Sequence, residues 1–339
     1  MRFARLGAGV AALVFALLLT LVLLGLPIGS SLELLFEGAL GTKYGLATLF
    51  VKATPLLLVG LGIAVAWRAG MYNIGGEGQF VVGAIAGAAV ARAAPAGEPG
   101  ILNTLILMAA MLGGAAWAWL PGWLHVRRGV HVVIGTILLN FVAVQLVSFL
   151  VRGPLQERKG QLPLTDPLPS EVMLRRLDSQ TDLHAGLVLA LVACALTWVF
   201  LFRTTAGLRL RIVGQSARFA RANKIDPDSA QIRAMAVSGA LCGLAGAVEY
   251  SGVAGRIGAD FAQGWGFLGI PVALLGALHP LGVLLSSLYF GALFAGSQNL
   301  ARFSSGSSSL VLIIQGLAVL AFVAAQAWLR LGVRRQESA

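Results

Sequence analysis

Two stretches of this chain combine residue types that could do chemistry with a spacing that would aim them. The first is Gly70-Met71-Tyr72-Asn73-Ile74-Gly75-Gly76-Glu77-Gly78-Gln79. Its four glycines permit a sharp bend and close backbone approach, and Asn73, Glu77 and Gln79 bring hydrogen-bonding groups into apolar surroundings. Asn73 is placed to cap the helix that follows, with Glu77 in its first turn, where the helix dipole favours a carboxylate. A second reading has the break lining a polar pathway, with Glu77 and Gln79 offered to a solute. The other stretch is 255–280, GRIGADFAQGWGFLGIPVALLGALHP, in which Gly264, Gly266 and Gly269 lead into a short apolar helix closed by His279-Pro280. Little else points to catalysis. Ser238-Gly239 and Ser304–Ser309 have no histidine placed as a base, and the histidines at 125, 131, 184 and 279 are too scattered to hold a metal. Cys194 and Cys242 lie in apolar runs and read as packing residues.

The elements that position these stretches follow from composition. The chain of 339 residues is 58% hydrophobic and 12% charged, against about 25% charged in soluble domains. Apolar runs of roughly twenty residues follow one another, so the expectation is an all-α integral membrane protein with about ten transmembrane helices, in one membrane domain over 1–339. The spans are read at 5–28, 46–67, 75–94, 101–124, 130–151, 185–202, 233–253, 266–278, 281–300 and 309–330. The first is too long for a cleaved leader and is read as a retained anchor. Small residues at Gly239, Gly243 and Gly246 would let the seventh span pack closely.

Charge then orients the chain. With the N-terminus inside, one face collects fifteen Lys and Arg against four acids, and the other face ten against ten. All of the net charge of +11 therefore lies on one side, as membrane topology demands, and a nucleic-acid partner is not needed to explain it. Both termini and the 203–232 loop are expected in the cytoplasm, and the 152–184 loop outside. The segment Arg203–Arg233 carries seven Lys/Arg and two Asp, too polar for lipid and long enough to bind a partner. The external loop, rich in proline and balanced in charge, would cap the outer mouth, receive an external partner, or serve as an ordered connector. The two glycine-rich breaks open helices running in opposite directions, which suggests an inverted repeat of helices 2–5 and 7–10 with a solute path between the halves. An ion-coupled carrier is the rival reading, but such carriers need charged relays deep in the bundle. Glu77, Glu249 and Lys52 all lie near expected helix ends, so energy should come from another protein.

These same residues carry a family resemblance. YNIGGEGQFVVGA (72–84) resembles the NIG-x-EGQ signature of permease subunits of ABC importers for nucleosides and simple sugars, a ribose-type family akin to branched-chain amino acid permeases. TTAGLRLRIVGQSARFARANKID (204–226), SGALCGLAGAVE (238–249) and GFLGIPVALLGALHPLG (266–282) are similar to three further motifs of that family, in the same order. The long loop before the sixth span is like that of the longer permease in nucleoside systems. The chain departs from the pattern at Phe219-Ala220, where paired alanines are usual, at Lys224-Ile225, where Gly-Ile is usual, and at His279 before Pro280.

The resemblance implies a multi-pass subunit of the bacterial inner membrane that is not itself an enzyme and binds no cofactor. ATP and magnesium would sit on a separate ATP-binding subunit, with a second permease (a different chain or a second copy) and an external solute-binding protein as further partners. Residues around Gly214–Asp226 would form the coupling helix, with Gly207 and Gly214 turning the chain. Arg209, Arg211, Arg218 and Arg221 would meet acidic groups of the ATPase beside Ile225 and Asp226. The solute would be a nucleoside or purine base, recognised by hydrogen bonds and aromatic surface from Tyr72, Asn73, Glu77, Gln79, Phe261, Trp265 and Phe267. A simple sugar would use similar groups.

Overall fold

The computed structural model of the chain describes residues 25–94, 98–158, 160 and 162–303, with isolated positions at 15–23 and 313–320. The described residues form helices and no strands, and divide into two compact units, 53–288 and a second made from 1–52 and 289–339. The helices are α1 (Ile28–Phe36), α2 (Lys43–Arg68), α3 (Gly76–Ala93), α4 (Pro99–Arg128), α5 (Val132–Arg152) and α6 (Gly186–Arg203). They continue as α7 (Thr205–Gln215), α8 (Ala217–Ala222), α9 (Pro227–Glu249), α10 (Trp265–Leu275) and α11 (Pro280–Phe303).

Among the described residues six helices are long and apolar enough to cross a membrane: α2, α4, α5, α6, α9 with the π-helical turn that extends it to Ala254, and α11. This is a multi-pass membrane protein, with fewer such helices described than the ten spans expected. The 309–330 span, most of 5–28 and both termini lie outside the described residues. Two other expected spans form helices of a different kind. α3 holds Glu77 and Gln79 in its first turn, and α10 has 11 residues, about 16 Å of rise, too short to cross.

Within the larger unit, burial sorts the helices. α2 is the most enclosed of the long apolar helices, whereas α4 and α5 leave Ile101, Met108, Leu112, Ile134, Leu138 and Phe141 exposed. In water such a surface would be an aggregation hazard, but against lipid it is the ordinary solvent-facing side. α3, α4 and α9 meet along glycines. A Cβ on Gly239 would overlap the carbonyl oxygen of Gly114, one on Gly243 that of Ala110, and one on Gly246 that of Phe80. Backbones that close gain dispersion contact in place of the hydrophobic drive that lipid removes. Sequence had marked these small residues, and the structure assigns their partners.

The smaller unit contains α1, a feature absent from the expected spans, followed by a π-helical turn over Glu37–Gly41. Asn299 Nδ2 donates to the Leu34 carbonyl at 2.9 Å, and a Cβ on Gly38 would overlap the Asn299 side chain.

Candidate functional site

Within the 70–79 stretch, α3 begins at Gly76, and the non-helical residues 71–75 before it are held largely by side chains. Gly70 turns the chain at φ +79°, where a side chain would be strained. Asn73 Oδ1 accepts from Gly75 N at 2.8 Å and from Gln79 Nε2 at 3.0 Å. Its Nδ2 donates to Gln79 Oε1 at 3.0 Å and to Ser238 Oγ, on α9, at 2.9 Å. The expected capping role of Asn73 is therefore corrected: the residue before α3 is Gly75, no side chain of its own caps it, and Asn73 closes a turn and pairs with Gln79. The first-turn N–H of Gly78 is satisfied from elsewhere, by Asn140 Oδ1 of α5 at 2.8 Å, while Asn140 Nδ2 donates to the Ile74 carbonyl at 3.0 Å. Thr136 Oγ1 accepts from Ile74 N at 3.3 Å. Asn140 and Thr136 escaped the sequence reading. The available signal was an amide alone in the middle of an apolar span, which is expensive there without a partner.

Glu77 serves a different helix from its own. Its carboxylate accepts from the backbone of Gly264 at 2.8 Å and Gly266 at 2.6 Å, so it sits on the N-terminus of α10. A carboxylate there satisfies two otherwise orphaned donors and opposes the positive end of the helix. The two glycine-rich breaks, 187 residues apart at this bond, thus meet N-terminus to N-terminus. The contact is backbone on backbone, since a Cβ on Gly266 would overlap Glu77 N and Gly76 C.

Of the residues assigned to a solute path, Asn73, Glu77, Gln79, Phe261 and Trp265 are buried, and the first three are engaged as above. Phe261 stacks on Phe80 at 5.6 Å between centroids. Tyr72 and Phe267 are exposed, at 54% and 47%, one beside each break. Trp67 meets Tyr72 edge-on at 5.3 Å and donates to the Asn73 carbonyl at 3.1 Å.

The polar segment after α6 folds into two short helices. Thr204 caps α7 by accepting from Gly207 N at 3.1 Å, and Ser216 caps α8 by accepting from Phe219 N at 3.2 Å. Gly207 and Gly214 lie inside α7, so the expected turns at these glycines are instead at Ser216 and at Lys224, which takes a left-handed φ of +57°. Both glycines admit close packing, because a Cβ on Gly207 would overlap the Phe200 carbonyl and one on Gly214 the Arg68 carbonyl. Leu210 joins Val65, Met71, Leu201 and Met235 in one apolar cluster, which fixes α7 against the ends of α2, α6 and α9. Arg211 packs on Phe202, Arg209 and Arg218 are exposed, and Arg221 pairs with Asp228 at 3.3 Å. Asp226 caps α9 by accepting from Asp228 N at 3.0 Å, with Ile225 half-buried before it.

At the other ends of these helices, the 153–185 loop is tied down by Arg92, whose Nη1 reaches the Gln156 carbonyl at 2.8 Å and Asp166 at 2.9 Å. His184 is buried between Gly186 and Gly252, and its Nδ1 accepts from Gly186 N at 3.1 Å. Burial holds its pKa at about 4, despite the opposing pull of Asp182. The folded value lies below the unfolded value near 6.5, so the neutral ring is favoured. The stability it contributes is complete above about pH 6.5 and is lost as pH falls toward 4, up to about 3 kcal/mol. Proteolytic nicking of the 153–185 loop is expected to rise sharply between pH 7 and 5, and His184→Gln should flatten that dependence. An unchanged pH profile in the variant would show that another group controls the loop.

Comparison with known proteins places this geometry. The family model described as branched-chain amino acid transport system / permease component matches residues 45–323. The chain belongs to this permease family. Among its relatives is the glucose ABC transporter permease protein TsgB13 of Haloferax volcanii, 34% identical over 86% of this chain and 79% of that protein. The guanosine ABC transporter permease protein NupP of Bacillus subtilis is 33% identical over 90% of this chain and 88% of its own length. The nucleoside ABC transporter permease protein NupB of Lactococcus lactis is 29% identical over 86% and 82%. A permease subunit of this kind is a membrane component and not itself an enzyme. In this permease Lys224 takes a left-handed turn that glycine would take without strain.

Proposed function

We propose that this permease is the membrane subunit of an ATP-driven importer, in the bacterial inner membrane, for a nucleoside, purine base or related small polar solute such as a simple sugar. The observation that carries the ATP-driven reading is α8, a capped helix with Arg218 and Arg221 exposed and Phe219 exposed at 58%. An aromatic ring flanked by two cations, on a short helix anchored through α7, suits insertion into an acidic groove of a separate ATP-binding subunit. Guanosine, nucleoside and glucose in the names of its relatives support a ring-bearing, hydroxyl-rich solute. Such a solute would arrive from an external binding protein on the face carrying 153–185. It would pass near the junction of α3 and α10, with Tyr72 and Phe267 as aromatic surface and the buried Asn73, Glu77, Gln79, Phe261 and Trp265 shaping the wall. The head-to-head meeting of two broken helices also supports an inverted repeat, with the 203–232 loop and both termini in the cytoplasm and a second permease completing the path.

Arg218→Glu and Phe219→Ser are expected to leave insertion and melting of this subunit unchanged. Co-purification of the ATP-binding subunit should fall at least about tenfold, and uptake of labelled guanosine with it. Undiminished co-purification would refute docking through α8. Uptake that continues without the ATP-binding subunit but collapses with the ion gradient would replace this reading by the ion-coupled one.

A further inference from the structure

Around Phe202 this permease gathers positive charge that no acid among the described residues answers. The guanidinium carbons of Arg68 and Arg211 lie 5.2 Å and 5.0 Å from the centroid of the Phe202 ring, and the His279 imidazole is 4.9 Å from it. Three segments distant in sequence, the end of α2, the middle of α7 and the residue before α11, thus place nitrogen-bearing groups about one ring. Among the described residues the ion pairs join other partners, and none includes Arg68 or Arg211. Arg211 Nε is buried and has no hydrogen-bond partner. Arg68 Nε donates to the Leu278 carbonyl at 2.6 Å.

That carbonyl comes from a strained backbone. Ala277 and Leu278 take φ of 51° and 56°, a region that residues with side chains adopt at a cost and usually at functional places. Burial and the Arg68 charge together hold the His279 pKa below the usual imidazole range. Two guanidinium groups held near each other and partly out of water are costly unless an anion joins them, and their planar forks match phosphate oxygens.

The position of the cluster indicates the source of the phosphate. Arg68 ends one candidate span, Phe202 lies next to the end of another, and His279 directly precedes a third. The groups therefore sit where spans leave the apolar layer, at headgroup depth. The same spans present exposed apolar side chains, Leu196 and Val199 on α6 and Leu281 and Leu285 on α11, on which an acyl chain can lie.

We propose that Arg68, Arg211 and His279 form a phosphate site that holds the headgroup of an anionic phospholipid. The test uses the full chain in nanodiscs of phosphatidylcholine alone, or of phosphatidylcholine and phosphatidylglycerol in equal parts. The unmodified protein is expected to melt about 3 °C or more higher in the anionic discs. The double variant R68Q/R211Q should lose most of that gain, and R209Q/R218Q, the same loss of two charges at exposed positions of α7 and α8, should keep it. Inorganic phosphate added to phosphatidylcholine discs separates the sources: a gain as large as that from phosphatidylglycerol means that the free ion suffices, and no gain means that the lipid is needed. Equal gains in the unmodified protein and the double variant, or none in either, overturn the proposal. A gain produced only by adding the ATP-binding subunit, and lost in the double variant, overturns it too and gives the arginines to a protein carboxylate. Should the double variant fail to insert, phosphatidylglycerol retained by Arg211→Gln alone, counted by native mass spectrometry, decides: retention equal to the unmodified protein rejects the site.

Discussion

Gly266→Ala is expected to destabilise the permease by about 3 kcal/mol, lowering its melting temperature by roughly 6 °C or more and abolishing uptake. The added Cβ would overlap the backbone of Glu77 and Gly76, which has no rotamer through which to give way. Relief would require α10 to withdraw from α3, breaking both hydrogen bonds to the Glu77 carboxylate. Gly264→Ala, two residues away, isolates the cause. Gly264 has a φ of +85° but nothing within 4 Å of an added Cβ, so alanine there meets only backbone strain, about 1 kcal/mol. Melting curves of the two variants side by side should differ by several degrees. If they coincide, strain rather than the helix contact explains the glycines.

Glu77→Ala should cost about 3 kcal/mol by a separate route, because the N–H groups of Gly264 and Gly266 lose their acceptor in a site with little water. Glu77→Gln keeps one acceptor oxygen but sets an amide NH2 against a backbone donor, and should cost about 2 kcal/mol. Asp would hold the charge yet fall a methylene short. The expected order of melting temperatures is therefore unmodified, then Gln, then Ala. Equal melting of the unmodified and Ala forms would mean that the carboxylate does not cap α10, and would free Glu77 to be read again as a group presented to solute.

Much of this was legible in local pattern. Eight expected spans correspond to helices α2–α6 and α9–α11, and the six of these that are long and apolar enough to cross were the plainest, because such a run has few alternatives to a helix in lipid. The two breaks were legible as clustered glycines joined to polar residues, which lipid does not tolerate uncovered. What local pattern could not reveal is who covers them. Asn140 lies 62 residues from Gly78, and Glu77 lies 187 from Gly264, so neither bond leaves a mark in any window of sequence. The helix α7 was hidden by its arginines: Leu210 and Val213 are its buried anchors, but a helix that polar reads as loop until its packing is seen. α1, with nine residues, falls in the gap between the expected spans 5–28 and 46–67 and is too short to stand out as a crossing.

The glycine seam joining α3, α4 and α9 also has a mechanical meaning. Most packed helices are separated by a layer of side chains that can hop between rotamers, and small sliding motions use that layer as a lubricant. Here Gly114, Gly239, Gly243 and Gly246 remove it, leaving main chain against main chain. Sliding by one residue would drive a side chain into a carbonyl, so these three helices can only travel together, as one stiff strut. Whatever bending this permease undergoes must then fall outside the strut, in the segments by which the chain enters and leaves it: 71–75, 129–131, 223–226 and the stretch that follows Ala254.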